Sequence, residues 1–179
     1  IKLAFSPNQD HDFILEASRT LQERASYPGK SAALFDRFGN PADPSISDYS
    51  RNLYSLGHTG RWDSLTTDTY LQHSKTNNPG RSMFLKSTEF DTKWTRPLGS
   101  HFLIGGLNYQ KEDLKDNGNQ YNPDINKISR YQWALFVEDE WSLTDNFALT
   151  GGVRMTRDEN YGSHWTPRLY AVWHATKQF

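Results

Sequence analysis

The strongest constraint on this chain lies in residues 131–174, which read YQWALFVEDEW, SLTDN, FALTGGVRMTR, DENYGSH and WTPRLYAVWH. Three runs alternate apolar and polar residues, separated by one tight turn and one short polar loop. Period-two alternation makes a strand that is apolar on one face and wet on the other. In the first run Tyr131, Trp133, Leu135, Val137 and Trp141 share a face, with Gln132, Ala134, Phe136, Glu138 and Glu140 on the other. In the second, Phe147, Leu149, Gly151, Val153 and Met155 oppose Ala148, Thr150, Gly152, Arg154 and Thr156.

The rest of the chain repeats the rhythm. A first hairpin sets Ile1, Leu3 and Phe5 against Lys2, Ala4 and Ser6, turns at 7–12, and returns with Phe13, Leu15, Ala17 and Leu21 on one parity. Ile14 and Arg19 depart from that pattern. Residues 25–47 carry three prolines and two glycines and read as a long loop, a kind of connection that in a compact domain usually has a function. Tyr54, Leu56, His58, Gly60 and Trp62 define a third strand over 49–62, and the fourth, 65–72, is too rich in threonine to show its apolar face. Phe84, Thr88, Phe90 and Trp94 then oppose Ser87, Glu89, Asp91 and Lys93, and Leu103, Leu107 and Tyr109 oppose Asn108 and Gln110. The final ATKQF reads as a turn and the start of a tenth strand.

The connections alternate in length. Those at 7–12, 63–64, 95–100, 143–146 and 175–178 are short, and those at 25–47, 73–82, 111–129 and 158–164 are mostly longer. One end of the sheet is trimmed and the other elaborated, as in outer-membrane barrels, and runs of ~9–11 residues suit a tilted membrane strand. Trp62, Trp94, Trp141 and Trp173 each stand beside a short turn, as an interfacial aromatic girdle would. Mean hydropathy is −0.82, and no apolar run approaches the ~20 residues of a membrane helix. Barrel strands are only half apolar, so neither value argues against a membrane. A net charge of −1 without a basic tract gives no footing for nucleic acid. With no Cys there is no disulfide framework, thiol nucleophile or cysteine metal site.

The residues FVEDEWSLTDNFALTGGVRMTRDENYGSHWTPRLYAVWHAT resemble a segment of the TonB-dependent outer-membrane receptors, in particular the ferric-enterobactin and colicin receptor group. The likeness is carried by Val137-Glu138-Asp139-Glu140-Trp141, Leu143-Thr144-Asp145, Leu149-Thr150-Gly151-Gly152-Val153-Arg154, Tyr161-Gly162-Ser163-His164-Trp165 and Pro167-Arg168-Leu169-Tyr170. It covers residues 131–176 clearly and the rest by strand rhythm. The resemblance implies an all-β fold: an antiparallel meander of about nine to ten strands within a transmembrane β-barrel of about 22 strands. It makes residues 1–179 a partial barrel domain, with the plug domain and remaining strands outside this sequence. It further implies a TonB-energised importer of ferric siderophores in the bacterial outer membrane, with catecholates as the expected type and colicins as possible additional partners. TonB would act through an N-terminal plug, lipid would cover the apolar face, and open sheet edges would pair with further protein or another copy.

Candidate site residues follow from these readings. Glu138 and Glu140 share a face, either as an acid/base pair or as lumen-wall partners of Arg154 and Arg168; their polar parity favours the wall. An anionic aromatic siderophore suits Tyr27, Lys30, Arg37, Arg81, Tyr121 and Lys127 on the long connections, and 122–127 could also carry specificity. The six histidines lack metal-ligand spacing, and the Asp/Asn-rich stretch 116–124 lacks the alternating oxygens and closing Glu of a calcium loop. No catalytic, cofactor-binding or metal-binding residues are therefore assigned. Two other classes share the composition: a ten-stranded outer-membrane protease or acyltransferase, for which His164 and Asp158 are the nearest acidic–imidazole pair, and a soluble lipocalin-like barrel.

Overall fold

The computed structural model describes residues 1–117, 122 and 124–175, and for Arg81 the backbone alone. The strands are β1 (Lys2–Phe5), β2 (His11–Ser26), β3 (Ser45–Trp62), β4 (Leu65–Asn78), β5 (Met83–Leu98), β6 (His101–Asp116), β7 (Lys127–Thr144), β8 (Phe147–Asp158) and β9 (Gly162–Trp173). They form one nine-stranded antiparallel sheet in sequence order, each strand paired with the next. A three-residue 3₁₀ turn, Pro79–Arg81, connects β4 to β5. The tenth strand expected at the C-terminus lies outside the described residues.

Register converts the alternation into two continuous faces. Leu15 pairs with Leu56, Leu56 with Leu71, Leu71 with Phe90, and Phe90 with Tyr109. Tyr109 pairs with Trp133, and further along the same strands Val137 pairs with Val153 and Val153 with Pro167. Paired residues point to the same side, so these rows define one apolar face from β1 to β9. The threonine-rich β4 thereby puts Leu65, Thr67, Thr69 and Leu71 on the apolar side and Asp68, Tyr70 and Gln72 on the polar side.

The faces differ in crowding. Ser55, Ser74, Thr150, Asp158 and Ala134 are buried, all on the polar parity, as on the concave side of a curled sheet. Leu135, Val137, Leu169 and Trp173 stay exposed, Leu169 by 74%. Among the described residues Ala134 is the only buried apolar side chain, so no second layer covers the apolar face. A contiguous exposed apolar face of this extent requires another apolar phase to cover it.

Most strands outrun their hydropathy pattern. The connection read over 73–82 is strand as far as Asn78; that over 111–129 is strand through Asp116 and again from Lys127. The turn read over 95–100 is likewise strand through Leu98, leaving only Gly99 and Ser100, and Trp94 therefore lies inside β5 rather than beside the turn. β7 has 18 residues. At ~3.3 Å per residue it is roughly 60 Å long, and even at a ~45° tilt it overtops an apolar band about 25 Å tall. Length still alternates between the ends: turns at 6–10, 63–64, 99–100 and 145–146 on one side, connections at 27–44, 79–82, 117–126 and 159–161 on the other.

Aromatic rings on the apolar face lie over glycine. A Cβ on Gly105 would come within 2.0 Å of the Trp94 ring, which lies across this paired residue. Near the short turns Trp62 meets His11 edge-on, with ring centroids 4.7 Å apart, and His101 stacks on Trp141 at 5.4 Å.

The facing assignment can be tested at mid-strand in the full-length protein. Leu135→Arg is expected to impair barrel assembly, because an arginine on the apolar side within the hydrocarbon costs up to roughly 2–4 kcal/mol depending on depth, whereas Gln132→Arg on the polar side assembles normally. Heat-dependent gel mobility of outer-membrane fractions reads the outcome, and equal assembly of the two variants would show the facing assignment to be wrong.

Candidate functional site: the polar wall and the loop end

The polar face is a wall of cross-strand pairs. Arg61 meets Asp12 at 2.7 Å, Thr59 donates to Asp68 at 2.9 Å, and Asn108 donates to Asp91. Arg168 reaches Glu138 at 3.3 Å. These two stand on β9 and β7 with Gly152 of β8 between them in the same row. A Cβ at Gly152 would lie 3.2 Å from that of Glu138, so the missing side chain opens the path that the guanidinium takes.

The other expected wall pairing is not formed. Arg154 lies over the Phe136 ring, 5.7 Å from its centroid, and donates to Thr156 at 3.3 Å. Glu140 is exposed near the short-turn end and makes no ion pair among the described residues. Its row partners, Phe102 and Thr150, offer no cation.

A stronger pair joins Arg130 and Asp158. Arg130 Nε and Nη2 donate to Asp158 Oδ2 at 3.0 and 2.5 Å, while Asp158 Oδ1 accepts the backbone N–H groups of Asn160 and Tyr161. Asp158 is 5% exposed. It thus ties β7 to β8 and closes the turn into β9, while the Arg130 guanidinium lies 5.7 Å from the Tyr161 ring centroid. Both carboxylate oxygens are engaged, which removes Asp158 as a partner for His164. Sequence reasoning missed this pair because Asp158 fell in the loop read over 158–164 and Arg130 fell between the loop read over 111–129 and the strand read from Tyr131.

At the long-connection end, residues 27–44 form an ordered loop. The Tyr27 carbonyl accepts the N–H groups of Lys30, Ser31 and Ala32. Asp36 Oδ1 accepts those of Phe38 and Asn40 at 2.8 and 2.9 Å, and short bridges join Pro28 to Ala32 and Phe35 to Pro41. Chiefly the Asn40 N–H, with the Asn40 amide and the N–H groups of Phe38 and Gly39, holds the Asp36 carboxyl below the usual carboxylate range; partial desolvation opposes the shift. The loop presents Tyr27, Phe35 and Phe38, the last 74% exposed, beside Lys30 and Arg37, whose guanidinium lies 4.7 Å from the Phe38 ring centroid. Below it on the polar wall, Arg24 lies 5.5 Å from the Tyr49 ring centroid.

Of the six expected ligand residues, the structure gathers Tyr27, Lys30 and Arg37 on this loop. Lys127 instead begins β7 on the apolar parity, paired with Lys115, because the end of the stretch read as loop, 127–129, is already strand. The Arg81 side chain and Tyr121 lie outside the described residues. Among the described residues no group of three or more His, Cys, Asp or Glu side chains could hold a metal.

A one-layer antiparallel sheet, apolar outside and charged inside, with trimmed and elaborated ends, defines the class: the wall of a transmembrane β-barrel. The chain belongs to the TonB-dependent receptor-like β-barrel family, whose family model matches residues 3–179. It is 38% identical over 173 residues to the iron-regulated outer membrane virulence protein of Vibrio cholerae, a match covering 96% of this chain and 26% of that protein. The fold is that of the siderophore receptor PirA from Pseudomonas aeruginosa, with TM-score 0.78 and 22% identity over 98% of this chain and 30% of that one. A variant of the ferric enterobactin receptor PfeA from the same organism, solved with enterobactin, gives TM-score 0.80 and 19% identity over 97% and 30%. The chain therefore spans about a quarter to a third of these relatives, and its place is the outer membrane.

Asp158→Ala should cost about 1–3 kcal/mol in unfolding of the full-length protein in detergent, since it strands a guanidinium and two N–H groups. Glu138→Gln, whose partner Arg168 is largely exposed, should cost less than about 1 kcal/mol. For the loop, a lowered folded pKa means that order is complete above the usual carboxylate range and is lost as pH falls through the lowered value. Amide-exchange protection at Phe38 and Asn40 should hold at pH 5 and collapse under more acidic conditions, and Asp36→Ala should lack it throughout.

Proposed function

We propose that this chain forms part of the wall and surface loops of a receptor that imports ferric siderophores of the catecholate type, energised through TonB. The observation that carries the reading is the ordered 27–44 loop, with exposed Tyr27, Phe35 and Phe38 interleaved with Lys30 and Arg37. A ferric catecholate is anionic and presents aromatic rings. Cations answer its charge, and ring faces and guanidinium planes answer its shape. Arg24 with Tyr49, and Arg130 with Tyr161, repeat the combination on the wall beneath. The iron siderophore arrives with its metal already chelated, so the chain needs only to hold the complex. The same loop is our candidate foothold for a colicin. The free edges of β2 and β9 suit continuation of the barrel by further strands.

Binding by the full-length protein in detergent, read by intrinsic fluorescence quenching, tests the ligand class. Ferric enterobactin should bind more tightly than ferrichrome, a neutral hydroxamate. Replacing Arg37 and Phe38 together with Ala should weaken the catecholate by roughly tenfold, the sum of two contacts of about 0.5–1 kcal/mol each. Equal affinity for the two siderophores, or an unaffected double variant, would remove the catecholate assignment.

A further inference from the structure

The apolar face ends, toward the long connections, in a patch of lysines. Four rows across β4 to β7 set the order. Leu71, Phe90, Tyr109 and Trp133 form an apolar and aromatic row. The next is His73, Thr88, Lys111 and Tyr131; then Lys75, Lys86, Asp113 and Ser129; then Asn77, Phe84, Lys115 and Lys127. Lys75 thus faces Lys86 directly, and Lys115 faces Lys127.

Like charges directly opposite on one face destabilise a sheet, so two such pairs in adjoining rows require a counter-charge. The protein supplies little. None of Lys75, Lys86, Lys115 and Lys127 forms an ion pair among the described residues, and all four are exposed. Asp113, the one carboxylate lining the shallow groove between them, lies 3.8 Å from Lys111 instead. Phe84 lines that groove, with Lys75 Nζ 5.3 Å from its ring centroid.

Height decides what meets the patch. Aromatic rows mark the boundary between hydrocarbon and headgroups, and the long-connection end of such a barrel is extracellular. The lysines stand just beyond the Tyr109 and Trp133 row on the lipid-facing side, level with the headgroups of the outer leaflet. We propose that this patch is a binding site for a phosphate-bearing lipid headgroup of the outer leaflet. Its phosphates would lie between the two lysine pairs and its acyl chains along Leu71, Phe90, Tyr109 and Trp133. This rests on the outer-membrane location and the facing of the sheet, and is independent of which siderophore is carried.

The test uses the full-length protein in detergent micelles, with bisphosphorylated lipid A and its dephosphorylated form as probes and native mass spectrometry as the readout. The wild type should retain the phosphorylated lipid and release it in about 1 M salt, where the Debye length falls to about 3 Å. Replacing Lys75, Lys86, Lys115 and Lys127 together with Gln should weaken retention by roughly 600-fold, at roughly fivefold per charge. The corresponding four Arg substitutions should preserve it. Retention that ignores salt, equal retention of the dephosphorylated lipid, or displacement by millimolar inorganic phosphate would each overturn the proposal. These three readings use the wild type alone, so they decide the matter even where the Gln variant fails to assemble.

Discussion

Everything in this molecule depends on the unbroken antiparallel ladder. Strands β3 to β8 have their backbone donors and acceptors met from both sides over most of their length, and a sheet without a second layer has no other source of order. Because side chains alternate with period two, a one-residue slip in any pairing would exchange the faces of every strand beyond it. The registers keep one parity outward from Leu3 to Trp173. The single irregularity, between Ser142 and Thr144, falls at the β7–β8 turn, where only the closing Thr144–Phe147 pair lies beyond it.

Within that ladder, bulk and its absence are placed as partners. Trp94 lies across Gly105 on the lipid side, and Phe136 across Gly106 on the lumen side, where a Cβ would also strike the Thr92 carbonyl oxygen at 2.3 Å. Gly152 lets Arg168 and Glu138 meet across an intervening strand. Adjacent glycines in one strand therefore serve opposite faces. The large side chains gain contact that a single-layer sheet cannot otherwise give them, and so hold fixed orientations on a surface that has no core behind it.

The sequence was legible where one face is dry. Leu135, Val137, Val153 and Leu169 announced their strands because lipid demands apolar residues at every second position. The signal disappeared at Ser74–Asn78, Lys111–Asp116 and Lys127–Ser129, where the strands rise beyond the apolar band and both faces are wet. The hydrogen-bond ladder continues there, but hydropathy no longer reports it. Pro97 misled in a related way: it reads as a turn, yet sits near the end of β5, beside a tight turn where a missing N–H is tolerated. The candidate site was legible in part for the same reason. Glu138 and Arg168 lie within the banded region, whereas Asp158 lies in what read as a loop and Arg130 just past the end of another.

Parity also separates the two chemistries at the elaborated end. Lys127 and Arg130 are three residues apart on β7, and three is odd, so one faces lipid and the other the lumen. Lys127 joins Lys115 among the outward lysines, while Arg130 engages Asp158 and approaches Tyr161. A basic residue near these loops therefore cannot be assigned to ligand capture by its loop position alone. The sheet is one residue thick, and a charge reversal on one face leaves the other face's geometry in place while the ladder between them holds. Ligand specificity and lipid contact can then vary independently on the same strands, which accounts for a wall that is regular in backbone and divided in charge.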